Sequence, residues 1–384
     1  MNLGRAGELL LWLILLVPSS LAIRWLGIQH GLDHNWRKKD CNKRQGFTGK
    51  QYSMCRRNLP IMKYVREAVE MTREECVYQM QQRRWNCSSI HKAPRYMNDL
   101  KRGTKEAAYV YSLSAAAVSY SVTQACSTRQ LGSICSCGRN PRIRLKRKDQ
   151  WQWGGCSDNI AYGTRFSKRF TEAVENHRMK KKKSADQTLM NIHNSETGRR
   201  AVRDHMKVHC KCHGVSGSCN VKTCFRRLGD FREIAKFLRR KYDRIIYVKK
   251  EKSKSKTKKD KRKKKNDITV DEKEKKEKER KQEKISLKSK DRKGRKYTTK
   301  DLIALSRSPS YCRKDKRKGS YGTKGRICNP KMRGGKGSCN YMCCGRGYRS
   351  KTVTKEERCE CQYVWCCYVK CKTCTKRERV YRCK

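Results

Sequence analysis

Four cysteines, two histidines, two serines and two glycines crowd into residues 209–224, which read HCKCHGVSGSCNVKTC. Residues of these types support three chemistries. Cysteine and histidine ligate metals such as zinc, a serine can act as an activated nucleophile, and paired cysteines can tie a loop with disulfides. Each chemistry needs its own spacing, so the spacing is the first test.

The spacing argues against a metal site and against a catalytic serine. Structural zinc sites commonly use Cys-x-x-Cys pairs of thiolates, whereas one residue separates Cys210 from Cys212. A hydrolase elbow has the form G-x-S-x-G, but the segment around Ser216 has a serine at its fifth position. We therefore predict no metal, no cofactor and no catalytic residue here, and a protein that is not an enzyme.

Disulfides explain the cluster better. Nested bonds would close a short hairpin with HGVSGS at its tip, joining Cys210 to Cys224 and Cys212 to Cys219. The glycines at 214 and 217 would allow the positive φ angles of such a turn. Ser216 would then be exposed, either as an ordinary turn residue or as a hydroxyl displayed to a modifying enzyme, and the residues alone leave both alternatives open.

The N-terminus predicts secretion. Arg5 precedes the apolar run LLLWLILLV, and Ser20-Leu21-Ala22 fits a cleavage site, so residues 1–22 are predicted to be a signal peptide. The run is shorter than the ~20 residues of a membrane-spanning helix. An even number of cysteines, 24 in 384 residues, favours disulfides in a secreted chain. Asn86-Cys87-Ser88 fits a sequon, so Asn86 is a predicted N-glycan site.

The elements that position the cluster are predicted to be helices. Apolar residues recur at helical spacing after Asn58, and helices are also expected over about 104–125, 160–174 and 185–206. In the last of these, four residues are expected to face inward, namely Leu189, Ile192, Ala201 and Val202. Residues 23–246 are thus predicted to form an N-terminal helical bundle that carries the hairpin at 209–224.

Two further regions follow. Residues 247–300 are dominated by Lys, Arg, Glu, Asp and Ser, which cannot bury enough apolar surface to fold alone, and are predicted to be a flexible charged linker or insertion. Residues 301–384 hold twelve cysteines and short alternating runs such as QYVWCCYVKC. This pattern predicts β-hairpins held by disulfides, so the fold class is α+β with a cysteine-rich C-terminal domain.

Several blocks of the sequence resemble the Wnt family of secreted, lipid-modified signalling glycoproteins. They occur in the family's order and are CKCHGVSGSC (210–219), RRWNCS (83–88), WGGCSDN (153–159), CNYMCCGRGY (339–348) and ERCECQYVWCCYVKCKTC (357–374). RWNCSSI together with RGTKEAAYVYSLSAAAVS is most similar to the eleventh Wnt subfamily. The charged insertion is longer than the inter-domain segment usual in the family.

The resemblance implies twelve disulfides. In the N-terminal domain they would join Cys41–Cys55, Cys76–Cys87, Cys126–Cys135, Cys137–Cys156, Cys210–Cys224 and Cys212–Cys219. In the C-terminal domain they would join Cys312–Cys344, Cys328–Cys339, Cys343–Cys383, Cys359–Cys374, Cys361–Cys371 and Cys366–Cys367. Spacing alone could not have selected these pairings.

The resemblance also implies a function. Ser216 would carry a palmitoleoyl ester added by the acyltransferase Porcupine, and the carrier Wntless would escort the protein to the extracellular space and matrix. One contact with the cysteine-rich domain of a Frizzled receptor would then involve Val215 and Ser216. A second would involve the hairpin tip formed by Trp365, Cys366, Cys367 and Tyr368. A lipoprotein-receptor-related or other co-receptor would complete the complex.

The net charge of +63 points to a polyanionic partner. Secretion and the lack of aromatic residues within the basic runs argue against nucleic acid, which leaves extracellular heparan sulfate. The predicted contacts are the basic runs at 142–148, 180–183 and 261–265. The alternative function is therefore a matrix protein whose main activity is heparin binding.

Overall fold

The computed structural model describes residues 23–29, 31–93, 98–138, 151–180, 185–253, 284–290, 296–366 and 368–384. The predicted signal peptide, the basic runs at 142–148 and 261–265, residues 181–183 of the third run and Cys367 lie outside this part of the chain. Across the described ranges, no helix is both long enough and apolar enough to cross a membrane.

The N-terminal half is a helical bundle, as the sequence predicts. Its helices are α1 (Lys50–Arg57), α2 (Leu59–Met80), α3 (Lys105–Ser127), α4 (Ile160–Thr171), α5 (Ala173–Lys180), α6 (Ala185–Asp204) and α7 (Phe231–Asp243). Helix α2 has Pro60 in its first turn, where the missing amide hydrogen costs no helical bond. Helix α4 is capped by the Asn159 side chain, which accepts a hydrogen bond from the Tyr162 amide.

Helix α3 forms the centre of the bundle and packs against α2, α4, α6 and α7. Its small residues are buried on nearly every side, which lets neighbouring backbones approach closely. At Gly198 of α6, an added Cβ would lie 1.9 Å from the Ser112 carbonyl oxygen of α3. A side chain at this position would therefore force the two helices apart.

The inward face of α6 differs from the prediction. Ala201 and Val202 are buried as expected, but Leu189 and Ile192 are only half-buried. Buried polar residues share the inward face, including Thr188, Asn191, Asn194, Ser195 and Arg199. The Asn194 side-chain amide, for example, donates a hydrogen bond to the Ile303 carbonyl oxygen at 3.0 Å and accepts one from the Ile303 main-chain amide at 2.9 Å. Apolar periodicity cannot identify such a face, because its polar groups are satisfied by distant parts of the chain.

Strands occupy the segments between and after these helices. Strands β1 (Trp151–Trp153), β2 (Lys207–Cys212) and β3 (Lys222–Arg227) form a sheet in the order β1-β3-β2. Strands β4 (Ile246–Ser253), β5 (Lys284–Ser289) and β6 (Ile303–Ala304) form another in the order β5-β4-β6.

The ends of the charged segment are therefore paired strands, which corrects the prediction of a flexible linker throughout residues 247–300. Strands β4 and β5 are antiparallel, and Ser253 lies opposite Lys284. Val248 of β4 is fully buried against Met190 and Ile303. The sequence did not indicate that Val248 is buried, because this segment has only a few apolar residues among many charged ones. Ser253 and Lys284, which flank residues 254–283, are therefore neighbours across the β4–β5 pair.

The C-terminal part is a disulfide-rich strand domain, in agreement with the predicted fold class. It contains β7 (Lys314–Asp315), β8 (Ser320–Tyr321), β9 (Ile327–Cys328), α8 (Cys339–Cys343), β10 (Tyr348–Val364) and β11 (Tyr368–Cys383). Its own core is small and consists of Met342 and four cysteines. Leu302 and Tyr311, assigned by the prediction to this domain, instead pack into the main helical core.

Candidate functional site

The hairpin of β2 and β3 carries the cysteine cluster. Its strands are antiparallel, and Cys210 lies directly opposite Cys224. A disulfide joins this pair, and a second disulfide between Cys212 and Cys219 closes the tip. Because the four sulfurs are bonded in these two pairs, none of them is available as a thiolate ligand for a metal.

The tip itself is a tight turn that exposes Ser216. The Gly214 amide donates to the Ser218 carbonyl oxygen at 2.9 Å, and the Gly217 amide donates to the Gly214 carbonyl oxygen at 3.0 Å. Ser216 adopts a left-handed conformation with φ of 57°, which is uncommon for a residue with a side chain. Its neighbour Val215 is 90% exposed. The loop thus displays an apolar side chain and a hydroxyl side by side.

The two glycines of the tip serve different purposes. Gly217 has a φ of +77°, in agreement with the prediction. Gly214 has a φ of −72°, so the expectation of a positive φ there is wrong. It is required for space instead, because an added Cβ would lie 2.6 Å from the Ser218 carbonyl oxygen.

A second exposed tip lies at the end of a long ribbon formed by β10 and β11. The strands pair from Tyr348 opposite Cys383 to Val364 opposite Tyr368. Trp365 at the tip is 89% exposed, and Tyr363 is 71% exposed. A tryptophan is costly to leave in water, so this tip is a candidate contact surface.

Eleven of the twelve disulfides implied by the resemblance are present among the described residues. The twelfth, Cys366–Cys367, involves a residue outside that part of the chain. The sulfurs of Cys328, Cys343 and Cys383 lie within 4.8 Å of one another. They belong to two disulfides, Cys328–Cys339 and Cys343–Cys383, so this cluster offers no thiolates to a metal.

The predicted glycan site lies near the junction between the two domains. Asn86 is half-buried, and its Oδ1 accepts a hydrogen bond from the Ser88 hydroxyl at 2.8 Å. Two residues earlier, the Arg84 side chain donates to the Tyr341 carbonyl oxygen of α8 at 2.9 Å. Glycosylation at Asn86 stays a prediction.

Arg326 connects the C-terminal domain to the segment that follows α2. Its guanidinium donates to the carbonyl oxygens of Arg83 at 2.5 Å, Arg84 at 2.7 Å and Gln81 at 2.7 Å. These residues are more than 240 positions away along the chain, so no sequence pattern could have indicated the contact. The planar guanidinium suits several acceptors at once.

Asp243 at the end of α7 strengthens the same junction. Its carboxylate pairs with Arg83 at 2.6 Å and with Lys336 at 2.7 Å. Burial by itself raises the pKa of Asp243, but the hydrogen bonds and charges of Arg83 and Lys336 outweigh it, so the pKa lies below its usual value of 3.8. Together with Arg326, this ion-pair network holds the base of the C-terminal domain against the helical bundle.

Comparison with known proteins identifies the family. The family model described as "wnt family" matches residues 43–384. The chain belongs to the Wnt family. It is 39% identical to Wnt-5a of Pleurodeles waltl over 346 residues, covering 90% of this chain and 87% of the relative. It is 38% identical to Wnt-11b of Xenopus laevis over 382 residues, covering 97% of each. Identities of 39% and 38% differ too little to single out the eleventh subfamily.

A solved structure agrees with this assignment. The chain is similar to WNT8A in the structure titled "Human WLS in complex with WNT8A", with a TM-score of 0.56 and 31% identity. The match covers 85% of this chain and 95% of that one. The architecture of a helical N-terminal domain and a disulfide-rich C-terminal domain is therefore that of a Wnt, and the protein is a Wnt signalling ligand.

Proposed function

We propose that the protein is a secreted ligand of Frizzled-type receptors that binds through a palmitoleoyl ester on Ser216. The observation that supports this proposal is the geometry of the β2–β3 hairpin tip, in a chain that belongs to the Wnt family. Ser216 is exposed on a turn closed by the Cys212–Cys219 disulfide. A rigid, protruding hydroxyl is accessible to an acyltransferase of the Porcupine type, and the attached chain would point away from the protein.

The acyl chain would dominate the affinity. Burying one methylene is worth about 0.8 kcal/mol, so a sixteen-carbon chain would contribute on the order of 10 kcal/mol before ordering costs. The exposed Val215 would extend the apolar contact at the base of the chain. The lipid would also make the free protein poorly soluble, which motivates a carrier, and the WLS complex of the similar WNT8A supports Wntless in this role.

The Trp365 tip would form the second receptor contact. Tryptophan is a favoured interface anchor because it buries a large area with few rotatable bonds. Trp365 and Tyr368 are 89% and 60% exposed, so both can contact a partner without unfolding. The Cys366–Cys367 bond would stiffen this tip. A co-receptor of the lipoprotein-receptor-related type or another class would bind elsewhere on the complex.

Residues 1–22 would be removed as a signal peptide, and Asn86 would carry an N-glycan. The mature protein would act in the extracellular space and matrix, where heparan sulfate is a polyanion available to its excess positive charge. The chain would act as a ligand, without catalytic activity.

Intact-mass analysis of secreted protein tests the lipid. Wild-type protein and a Ser218→Ala control should carry an acyl mass, and Ser216→Ala should lack it. Binding to a Frizzled cysteine-rich domain should fall by at least about a hundredfold in Ser216→Ala, since hot-spot contacts of this size cost several kcal/mol. Wild-type protein that binds and signals without an acyl group would refute the mechanism.

A further inference from the structure

The loop between β9 and α8 protrudes into solvent from the base of the C-terminal domain. It spans residues 329–338, which read NPKMRGGKGS, and the Cys328–Cys339 disulfide closes its base. Residues 331–336 are exposed without interruption. An added Cβ at Gly334 or Gly335 would meet no atom within 4 Å. The middle of the loop therefore has open space around it and can change its conformation without a clash.

Main-chain hydrogen bonds hold the ends of this loop but not its middle. The Asn329 amide donates to the Gly337 carbonyl oxygen at 2.9 Å, and the Ser338 amide donates to the Gly335 carbonyl oxygen at 3.3 Å. Among the described residues, none forms a hydrogen bond with the main chain of residues 332–334. Exposed loops with small residues are preferred sites of proteolytic cutting, because only a local opening is needed to fit a protease active site.

Arg333 supplies the side chain that one class of protease requires. Trypsin-like serine proteases bind the residue before the cleaved bond in a pocket with a carboxylate, which selects arginine or lysine. Arg333 is exposed, and the two glycines that follow it can adopt the backbone angles of a bound substrate. The two lysines of the loop are more constrained. The Lys331 amide donates to the Asn329 side chain at 2.9 Å, and the Lys336 ammonium lies 2.7 Å from the Asp243 carboxylate.

A second exposed basic segment, the β7–β8 turn at residues 316–318, lacks these properties. The Arg317 carbonyl oxygen accepts a hydrogen bond from the Asn98 side chain at 2.7 Å. Gly319, the next residue of the chain after the turn, is buried, and an added Cβ there would lie 2.3 Å from the Asp99 main-chain nitrogen. A protease would have to detach this turn from the helical domain before cutting it, so exposed basic residues alone do not make a cleavage site.

We propose that the β9–α8 loop is a cleavage site for a trypsin-like serine protease, which hydrolyses the peptide bond between Arg333 and Gly334. Water adds across this bond and leaves a carboxylate on Arg333 and an amine on Gly334. Two disulfides span the cut, Cys312–Cys344 and Cys328–Cys339. The product is therefore a two-chain protein in which residues 334–384 stay covalently attached to the rest.

The cut also weakens the junction between the two domains. Lys336 pairs with Asp243, which in turn pairs with Arg83 of the helical domain. In the intact loop, the chain on both sides of Lys336 holds it in place. After the cut, Lys336 follows two glycines at a free chain end, and fixing such an end costs conformational entropy. Asp243 then keeps Arg83 as a partner and loses much of its attraction to Lys336, so cleavage loosens the C-terminal domain without releasing it.

Brief treatment of the secreted, disulfide-bonded protein with trypsin tests the site. New N-termini are labelled and identified by mass spectrometry. The terminus at Gly334 should appear at least about tenfold faster than termini within the β7–β8 turn, because cleavage follows the free energy of local opening. Arg333→Gln should remove this terminus, and the matched exposed control Lys331→Gln should leave it. Residues 334–384 should separate on a gel only after reduction. A Gly334 terminus that forms no faster than those in the β7–β8 turn would overturn the proposal.

Hydrogen exchange tests the effect on the junction. Wild-type and Arg333→Gln proteins receive the same trypsin treatment, so cuts elsewhere are common to both. Exchange in residues 80–86 should be about three- to fivefold faster in the treated wild type, which is the effect of one partly exposed ion pair. Uncut Lys336→Ala should show a similar increase, and its treatment with trypsin should add less than about twofold. Equal exchange in the two treated proteins would contradict the loosening of the junction. Ser216→Ala should be cut at the wild-type rate, so the proposal is independent of acylation.

Discussion

Replacing Arg326 by alanine should loosen the junction between the two domains. The substitution leaves three carbonyl oxygens without their charged donor. Gln81 is exposed, so its oxygen regains water. The oxygens of Arg83 and Arg84 are less accessible, and two hydrogen bonds from a charged group at about 1.5 kcal/mol each give a loss of about 3 kcal/mol.

Native-state hydrogen exchange measures this loss where it occurs. Peptides covering residues 80–86 report the junction, including the Arg83 amide, which donates to the Met80 carbonyl oxygen. A loss of about 3 kcal/mol corresponds to about a hundredfold faster exchange. Arg326→Lys should recover about half of the free energy, because an ammonium lacks the planar fork that reaches several acceptors.

The matched control is Arg349→Ala, an exposed arginine on the ribbon. It should change exchange in residues 80–86 by less than the equivalent of about 0.5 kcal/mol. Unchanged exchange in Arg326→Ala, or an equal change in Arg349→Ala, would refute the assignment of the junction to this guanidinium.

Three further predictions concern the hairpin tips and the buried charges. Gly214→Ala should lower the acylated fraction of secreted protein several-fold, because the added Cβ would lie 2.6 Å from the Ser218 carbonyl oxygen. Trp365→Ala should weaken Frizzled binding at least about tenfold while changing the unfolding free energy by less than about 0.5 kcal/mol, since this side chain is 89% exposed. Burial raises the pKa of Glu175 above 4.5, against the opposing effect of Arg178. Its contribution to folding is therefore fully present below pH 4.5 and is lost as the pH rises through the folded pKa. Glu175→Gln should reduce this pH dependence, as measured by denaturant unfolding.

Each of these has a clear contrary outcome. Full acylation of Gly214→Ala, beside a Gly334→Ala control that meets nothing within 4 Å, would show that the tip tolerates a wider turn. A large loss of stability in Trp365→Ala would mean that the side chain packs within the protein. An unchanged pH dependence in Glu175→Gln would assign that dependence to other groups.

The helices were predictable because their signals are local. Asn58 and Pro60 mark the start of α2, and apolar spacing marks its buried face. The hairpin at 209–224 was also predictable in outline, since closely spaced cysteines and glycines restrict the turn. Apolar spacing failed on α6, where Leu189 and Ile192 are half-buried and Asn194 lies inside. The hydrogen-bond partner of Asn194 is Ile303 of β6, which is about a hundred residues away along the chain.

The amino-acid sequence by itself determined the family, the two classes of domain and the display of Ser216 on a disulfide-tied turn. These rest on motifs and on contacts between residues near each other along the chain. Only the tertiary structure decided the role of Gly214 as a space requirement, the pairing of β4 with β5 and the junction at Arg326. Such features depend on which distant segments meet after folding, and contacts between distant segments produce no periodic pattern in the sequence.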